Sequence, residues 1–188
     1  MEAGQAERPD IGAVFDDHVA AEFLDMDLDA TMATMTADPY VNHVPVMTGG
    51  VGAQGVRSFY GEHFIGRWPS DIEITPVSRT VGEDQVVDEL VLAFTHDIEM
   101  PQLLPGISPT GKKVQLAFCV VVRFDDGKVA HEHIYWDQAS LLVQVGLIDR
   151  AGLPVTGVEQ AQNVLDVRAR PLNELIGGGE GRSGQTVP

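Results

Sequence analysis

Hydrophobic residues near the start of the chain follow a helical rhythm. Ile11, Phe15, Val19 and Phe23 recur every four residues, with Val14 and His18 beside the stripe. That spacing is one face of an α-helix. Asp10 stands just ahead of Ile11, where its side chain can take the free backbone N–H groups of a first turn. Asp27 is placed likewise before Leu28, Met32 and Met35 and predicts a second, shorter helix. Asp38-Pro39 ends it, because the residue before a proline avoids the helical region. An extended piece, 40–46, leads to the glycines Gly49, Gly50 and Gly52. Val56, Phe59, Tyr60, His63 and Phe64 then mark the clearest helix of the chain.

From residue 71 the period changes. Ile72 and Ile74 alternate before Pro76, and 85–97 reads as a long strand. Pro101, Pro105 and Pro109 mark a loop, and 113–124 is β-branched and apolar. Asp126-Gly127 is a hairpin turn signal, with 128–138 as the returning strand. Three helices followed by four strands joined by hairpin-like turns predict an α+β fold with a curved antiparallel sheet. Residues 1–150 read as one domain. Residues 151–188 read as a C-terminal extension, with a short helix over 157–167 and a mobile tail around Gly177-Gly178-Gly179.

Charge narrows the partners. Twelve basic residues against 28 acidic ones give a net charge of −16, which repels nucleic-acid phosphates and anionic membrane surfaces. No segment has the length of a membrane span, and the polar first ten residues lack an apolar signal core. A cytoplasmic setting is the expectation. The single cysteine, Cys119, sits in an apolar run and reads as a small core residue.

The segment His131-Glu132-His133-Ile134-Tyr135-Trp136-Asp137-Gln138 carries the most chemistry. Side chains alternate across a strand, so His131, His133, Tyr135 and Asp137 share one face. Such a face is either wet or lines a pocket, and large side chains with polar tips suit a ligand pocket. Other candidates are Asn42-His43 on the extended piece, His96 at the end of a long strand, and Glu89, which with Asp88 interrupts an apolar strand. His18 and His63 lie on apolar helix sides and read as core histidines, Trp68 and Trp136 as packing residues. His131 and His133 could also reach one metal ion, but the spacing is weak, and no metal is expected.

These features together resemble the nuclear transport factor 2-like superfamily and, within it, the SnoaL-like polyketide cyclases. The likeness rests on Asp126-Gly127-Lys128, on Asp137-Gln138 and on Leu141-Leu142-Val143-Gln144-Val145-Gly146, with Asn42-His43 and 52–60 earlier; it spans roughly residues 10–150. It implies a cone-shaped α+β fold around a cavity, a homodimer, and acid/base chemistry without a cofactor. Asp137 would be the acid/base, helped by His133 and His43, with Tyr135, His131, His96, Glu89 and Asn42 around a small carbonyl substrate. Where such cyclases carry Glu-His-Trp-Asp, this chain has His131-Glu132-His133-Ile134. Lactone, ester or epoxide hydrolysis and ligand binding without turnover are the alternatives. For an epoxide, the resemblance points to Arg123 and Asp125, which have the two-residue spacing of an Asp-Arg-Asp set.

The homodimer has a sequence argument of its own. Ala117, Cys119 and Val121 face away from the helices and leave an apolar patch, unless 152–167 folds back over them.

Overall fold

A computed structural model describes residues 9–177. Its elements run α1 (Ile11–Phe23), α2 (Leu28–Ala33), β1 (Met35–His43), β2 (Thr48–Val51) and α3 (Gly52–Phe59), which continues as a π-helical turn, Tyr60–Phe64. Then come β3 (Glu73–Val81), β4 (Gln85–Thr95), β5 (Lys113–Asp125), β6 (Lys128–Trp136), α4 (Gln138–Gln144), α5 (Glu159–Leu165) and α6 (Glu174–Gly177). The Gly178-Gly179 part of the tail lies outside the described residues.

Local chemistry explains the boundaries. The Asp10 carboxylate accepts from Gly12 and Ala13 N–H, and Asp27 accepts from Asp29 and Ala30 N–H, so both acids cap the helices they precede. Asp126 and Gly127 have φ of 48° and 73°, the left-handed pair that a tight two-residue hairpin turn needs. At Gly49 an added Cβ would stand 2.0 Å from the Val41 carbonyl oxygen. Only glycine lets β2 approach β1 that closely.

The six strands form one sheet in the order β2-β1-β6-β5-β4-β3. All neighbours are antiparallel except β1 and β6, which run parallel. The second helix is also shorter than the sequence predicts: it stops at Ala33, and Met35 already starts β1. Pro39 falls in the irregular stretch between the Met35 and Tyr40 pairings, where its missing N–H costs no ladder bond. Pro76 sits on β3, the sheet's edge, which is exposed along its whole length.

One face of the sheet carries Val86, Leu92, Leu116, Phe118, Val122, Ile134 and Trp136 and packs beneath the helices. Fully burying one such side chain stabilises the fold by roughly 1.5–3 kcal/mol. On the other face α5 lies across β5 and β4, with Ala161 wholly buried. The segment after residue 152 therefore folds back over part of the patch from which a homodimer was expected. Among the described residues no helix is long and apolar enough to cross a membrane.

Candidate active site

Strand parity decides which β6 residues face inward. Helices cover the face holding Glu132, Ile134 and Trp136, all buried. His131, His133 and Tyr135 point to the outer face. Beneath the helices lies a cavity of about 590 Å³, lined mainly by apolar groups such as Phe15, Val19, Phe23, Phe64, Trp68 and Phe118. Glu22, His43, Tyr60 and Glu132 also line it, and Asp16, Arg79, Asp88 and Glu89 reach it from the α1 and β3–β4 side.

The polar end of the cavity is built around His18. Its Nδ1 lies 2.6 Å from Thr34 Oγ1, and the Thr34 hydroxyl donates to the Thr31 carbonyl oxygen, also at 2.6 Å. Thr34 has spent its only hydrogen, so it accepts from Nδ1–H. Nε2 then faces Glu132 Oε1 and Glu22 Oε1, each at 3.2 Å. A bare nitrogen lone pair facing two carboxylates is repulsive; a proton on Nε2 removes the conflict. Tyr60 donates to Glu132 Oε1 at 2.8 Å. His18 is fully buried, and Glu22 and Glu132 are each 5% exposed.

Electrostatics drives these groups apart. Burial alone would lower the His18 pKa, but Glu22 and Glu132 override it and raise it to about 10. Burial pushes the Glu22 carboxyl up, against the pull of His18. Glu132 suffers the same burial, yet His18 and the Tyr60 hydrogen bond hold it below the usual carboxylate range. Burial, reinforced by both carboxylates, raises the Tyr60 phenol. The arrangement is an imidazolium, an ionised carboxylate and a second carboxyl biased toward its protonated form.

His43, buried on β1, donates from Nδ1 to the Gln102 carbonyl oxygen at 3.1 Å. Burial lowers its pKa, so the ring is neutral and Nε2 is an acceptor. The donor atoms of His18, Glu22 and Glu132 lie within 4.8 Å of one another and could also reach one cation.

The other expected site residues fall elsewhere. Asp137 is exposed, outside the cavity, and caps α4 by accepting from Ser140 N–H and Oγ. His133 receives or gives a hydrogen bond at 3.1 Å with the Tyr40 hydroxyl on the outer face. His131 stacks on Tyr40 there, with ring centroids 4.5 Å apart. Tyr135 is exposed on that face, and Asn42 pairs opposite His133. His96 is buried against Thr110 and is not part of the cavity wall. Arg123 pairs with Asp84, away from the cavity. Of the expected residues, His43 and Glu89 line the cavity, Glu89 accepting from Ser78. The alternation along β6 is as the sequence predicts, but the pocket lies on the opposite face from the one expected: helices cover the side of Glu132, Ile134 and Trp136, where the one polar residue is Glu132. The signal that was available is His18 and Glu22, four apart on the apolar side of α1.

A model of the SnoaL-like domain matches residues 15–132. The chain belongs to the SnoaL-like family. Its SnoaL-like fold recurs in TsrD from Streptomyces laurentii, with 16% identity, a TM-score of 0.59, and 77% of this chain and 100% of that one covered. It recurs in a Jannaschia sp. CCS1 protein provisionally assigned as a SnoaL-like polyketide cyclase, with 18% identity, a TM-score of 0.58, and 77% and 100% covered. AclR from Streptomyces galilaeus, provisionally assigned as a hydroxylase, is 22% identical with a TM-score of 0.57, and 76% and 89% are covered. No curated protein sequence matches the chain. This SnoaL-like protein thus has the nuclear transport factor 2-like α+β fold implied by its sequence.

Proposed function

We propose that this SnoaL-like protein is an enzyme that moves protons on a small carbonyl compound, as in cyclisation or isomerisation, without a cofactor. One observation supports it above the others: Glu22 and Glu132 flank the same histidine in one apolar cavity, with pKa values driven in opposite directions. Such a split assigns an acid and a base. Glu132, kept ionised by His18 and Tyr60, takes a proton from the carbon beside the carbonyl. Glu22, protonated, donates to the carbonyl oxygen as negative charge develops there. His43 Nε2 is an acceptor for a hydroxyl elsewhere on the ligand.

The reading keeps residues 1–150 as the catalytic domain and 151–188 as an extension, in a cytoplasmic homodimer. The dimer would use the outer-face area around Tyr40, His133 and Tyr135 that α5 leaves open. The test is exchange of the methyl ketone hydrogens of 2-acetonaphthone for deuterium in D₂O, followed by proton NMR. Exchange above the buffer rate that disappears in Glu132→Gln supports the assignment. Failure of the wild-type protein to bind or exchange this ketone counts against it.

A second reading, epoxide hydrolysis, has one feature in its favour. Arg79 joins Asp88 through two bonds, of 2.6 and 2.7 Å, and Asp16 at 2.7 Å, and all three line the cavity. Arg79 thus stands between two aspartates, a grouping of the kind that the alternative reading looked for at Arg123 and Asp125. Styrene oxide hydrolysis abolished by Arg79→Gln would favour this reading.

A further inference from the structure

The cavity is closed at one end and open at the other. Around His18, the lining residues Glu22, His43, Tyr60 and Glu132 are all buried. On the β3 side the lining residues are exposed: Asp16 from α1, and Ile74, Val77, Ser78 and Arg79 from β3. A ligand whose carbonyl meets Glu22 and Glu132 therefore turns its far end toward the β3 margin.

Charge at that margin is one-sided. Arg79 shares it with three carboxylates, Asp16, Asp88 and Glu89. The guanidinium is already engaged. Nε and Nη2 donate to the two oxygens of Asp88 at 2.6 and 2.7 Å, and Nη1 donates to Asp16 at 2.7 Å. The group also lies over the Phe15 ring. The Asp88 side chain is only 13% exposed, so an anion that drew Arg79 away would leave a mostly buried carboxylate unpaired, at a cost. Glu89 accepts from the neutral Ser78 hydroxyl, which does not cancel its charge. Behind the closed end the pattern repeats, with His18 set between Glu22 and Glu132. Each of these two cations is committed to two carboxyl groups, in a chain of net charge −16. A negatively charged group entering such a site is repelled.

We infer that the site selects against negative charge, and that its substrate is an uncharged ketone or ester. Keto acids, sugar phosphates and thioesters of phosphate-bearing carriers are the classes it turns away. This rests on the carbonyl reading above and adds the charge of the substrate to it. Arg79 is here a counter-ion that holds two aspartates at the mouth, and not a receptor for a ligand carboxylate.

The test uses 2-acetonaphthone carrying either a carboxylate or a carboxamide at position 6. The two probes share a ketone and a body, are nearly equal in size, and differ by one negative charge. Calorimetry on the wild-type protein at pH 7 and low salt should give the carboxylate a dissociation constant about tenfold above that of the amide. Raising the salt to 0.5 M should narrow the gap, because repulsion at the open mouth is screened. A carboxylate that binds as tightly as the amide overturns the inference. So does a gap that widens with salt, the mark of attraction to Arg79. In Asp16→Asn/Asp88→Asn the guanidinium is released and the preference should fall at least threefold or reverse; an unchanged ratio overturns the inference as well. If both probes bind and exchange their methyl hydrogens but are not distinguished, only the charge selection falls. If the amide is preferred but does not exchange, the charge selection stands and the carbonyl reading falls. If neither binds, both fall.

Discussion

His18 Nε2 lies 3.2 Å from Glu132 Oε1, although 114 residues separate the two in the chain. α1 supplies the imidazole and β6 the carboxylate, so the contact ties the first helix to the last strand of the sheet. Thr34 fixes the ring's orientation from behind.

The tie should weaken in alkali. The unfolded imidazole loses its proton near pH 6.5, whereas the folded one keeps it to about 10. Its stabilising contribution is complete below pH 6.5 and is lost as pH rises toward 10. The slope is at most about 1.4 kcal/mol per pH unit. Urea unfolding from pH 6.5 to 10 should show this decline, and His18→Gln should flatten it. An equal decline in the variant would place the effect elsewhere.

Exchange of the probe ketone should follow a bell in pH. The acid limb is the loss of ionised Glu132 as pH falls through its lowered pKa, and the alkaline limb the loss of protonated Glu22 as pH rises through its raised one. Glu132→Gln should cost about a hundredfold or more in rate. Glu22→Gln should retain a hydrogen-bond donor and lose the alkaline limb. A profile for Glu22→Gln identical to wild type would remove Glu22 from the reaction.

Asp137→Ala should leave exchange within error of wild type, because Asp137 is outside the cavity. It should lower unfolding stability by about 1 kcal/mol through loss of the α4 cap. A variant that folds normally but loses exchange would return Asp137 to the mechanism.

No metal should be needed. Elemental analysis of the purified protein should find less than one equivalent of zinc, manganese or iron, and chelator should leave exchange intact. One tightly held equivalent, lost together with activity and absent from His18→Gln, would assign His18, Glu22 and Glu132 to a cation instead.

Light scattering at micromolar concentration should give twice the 20.3 kDa chain mass, and Tyr135→Glu should halve it. A wild-type mass that stays at one chain on concentrating would mean that α5 covers enough of the sheet to leave a monomer.

Much of the fold was written in short-range signals. Asp10 and Asp27 announce helix starts, and Asp126-Gly127 announces a turn, because each acts on atoms two or three residues away. The parallel pairing of β1 with β6 left no such trace, since it joins segments about ninety residues apart. The site was harder still. His18, Tyr60 and Glu132 come from three elements, and each alone looks like a core residue with a polar tip. Which face of β6 turns inward depends on where the helices dock, and alternation is blind to that choice. Only His43 among the expected catalytic residues lies on the cavity wall, because β1 alternates in the sense that buries Val41 and His43 and turns Asn42 outward.

The exposed edge strand β3 divides the cavity mechanically. It is held by backbone bonds to β4 on one side only, and side chains, Arg79 on Asp16 and over the Phe15 ring, link it to α1. The opposite end, around His18, is anchored by α1, α2, the π-helical turn and β6 together. A strand fixed along a single margin bends at lower free energy than a floor gripped from four directions. On the proposed function, ligand would enter and leave past this pliant margin while Glu22 and Glu132 stay in place, so that capture and proton transfer would run on separate clocks.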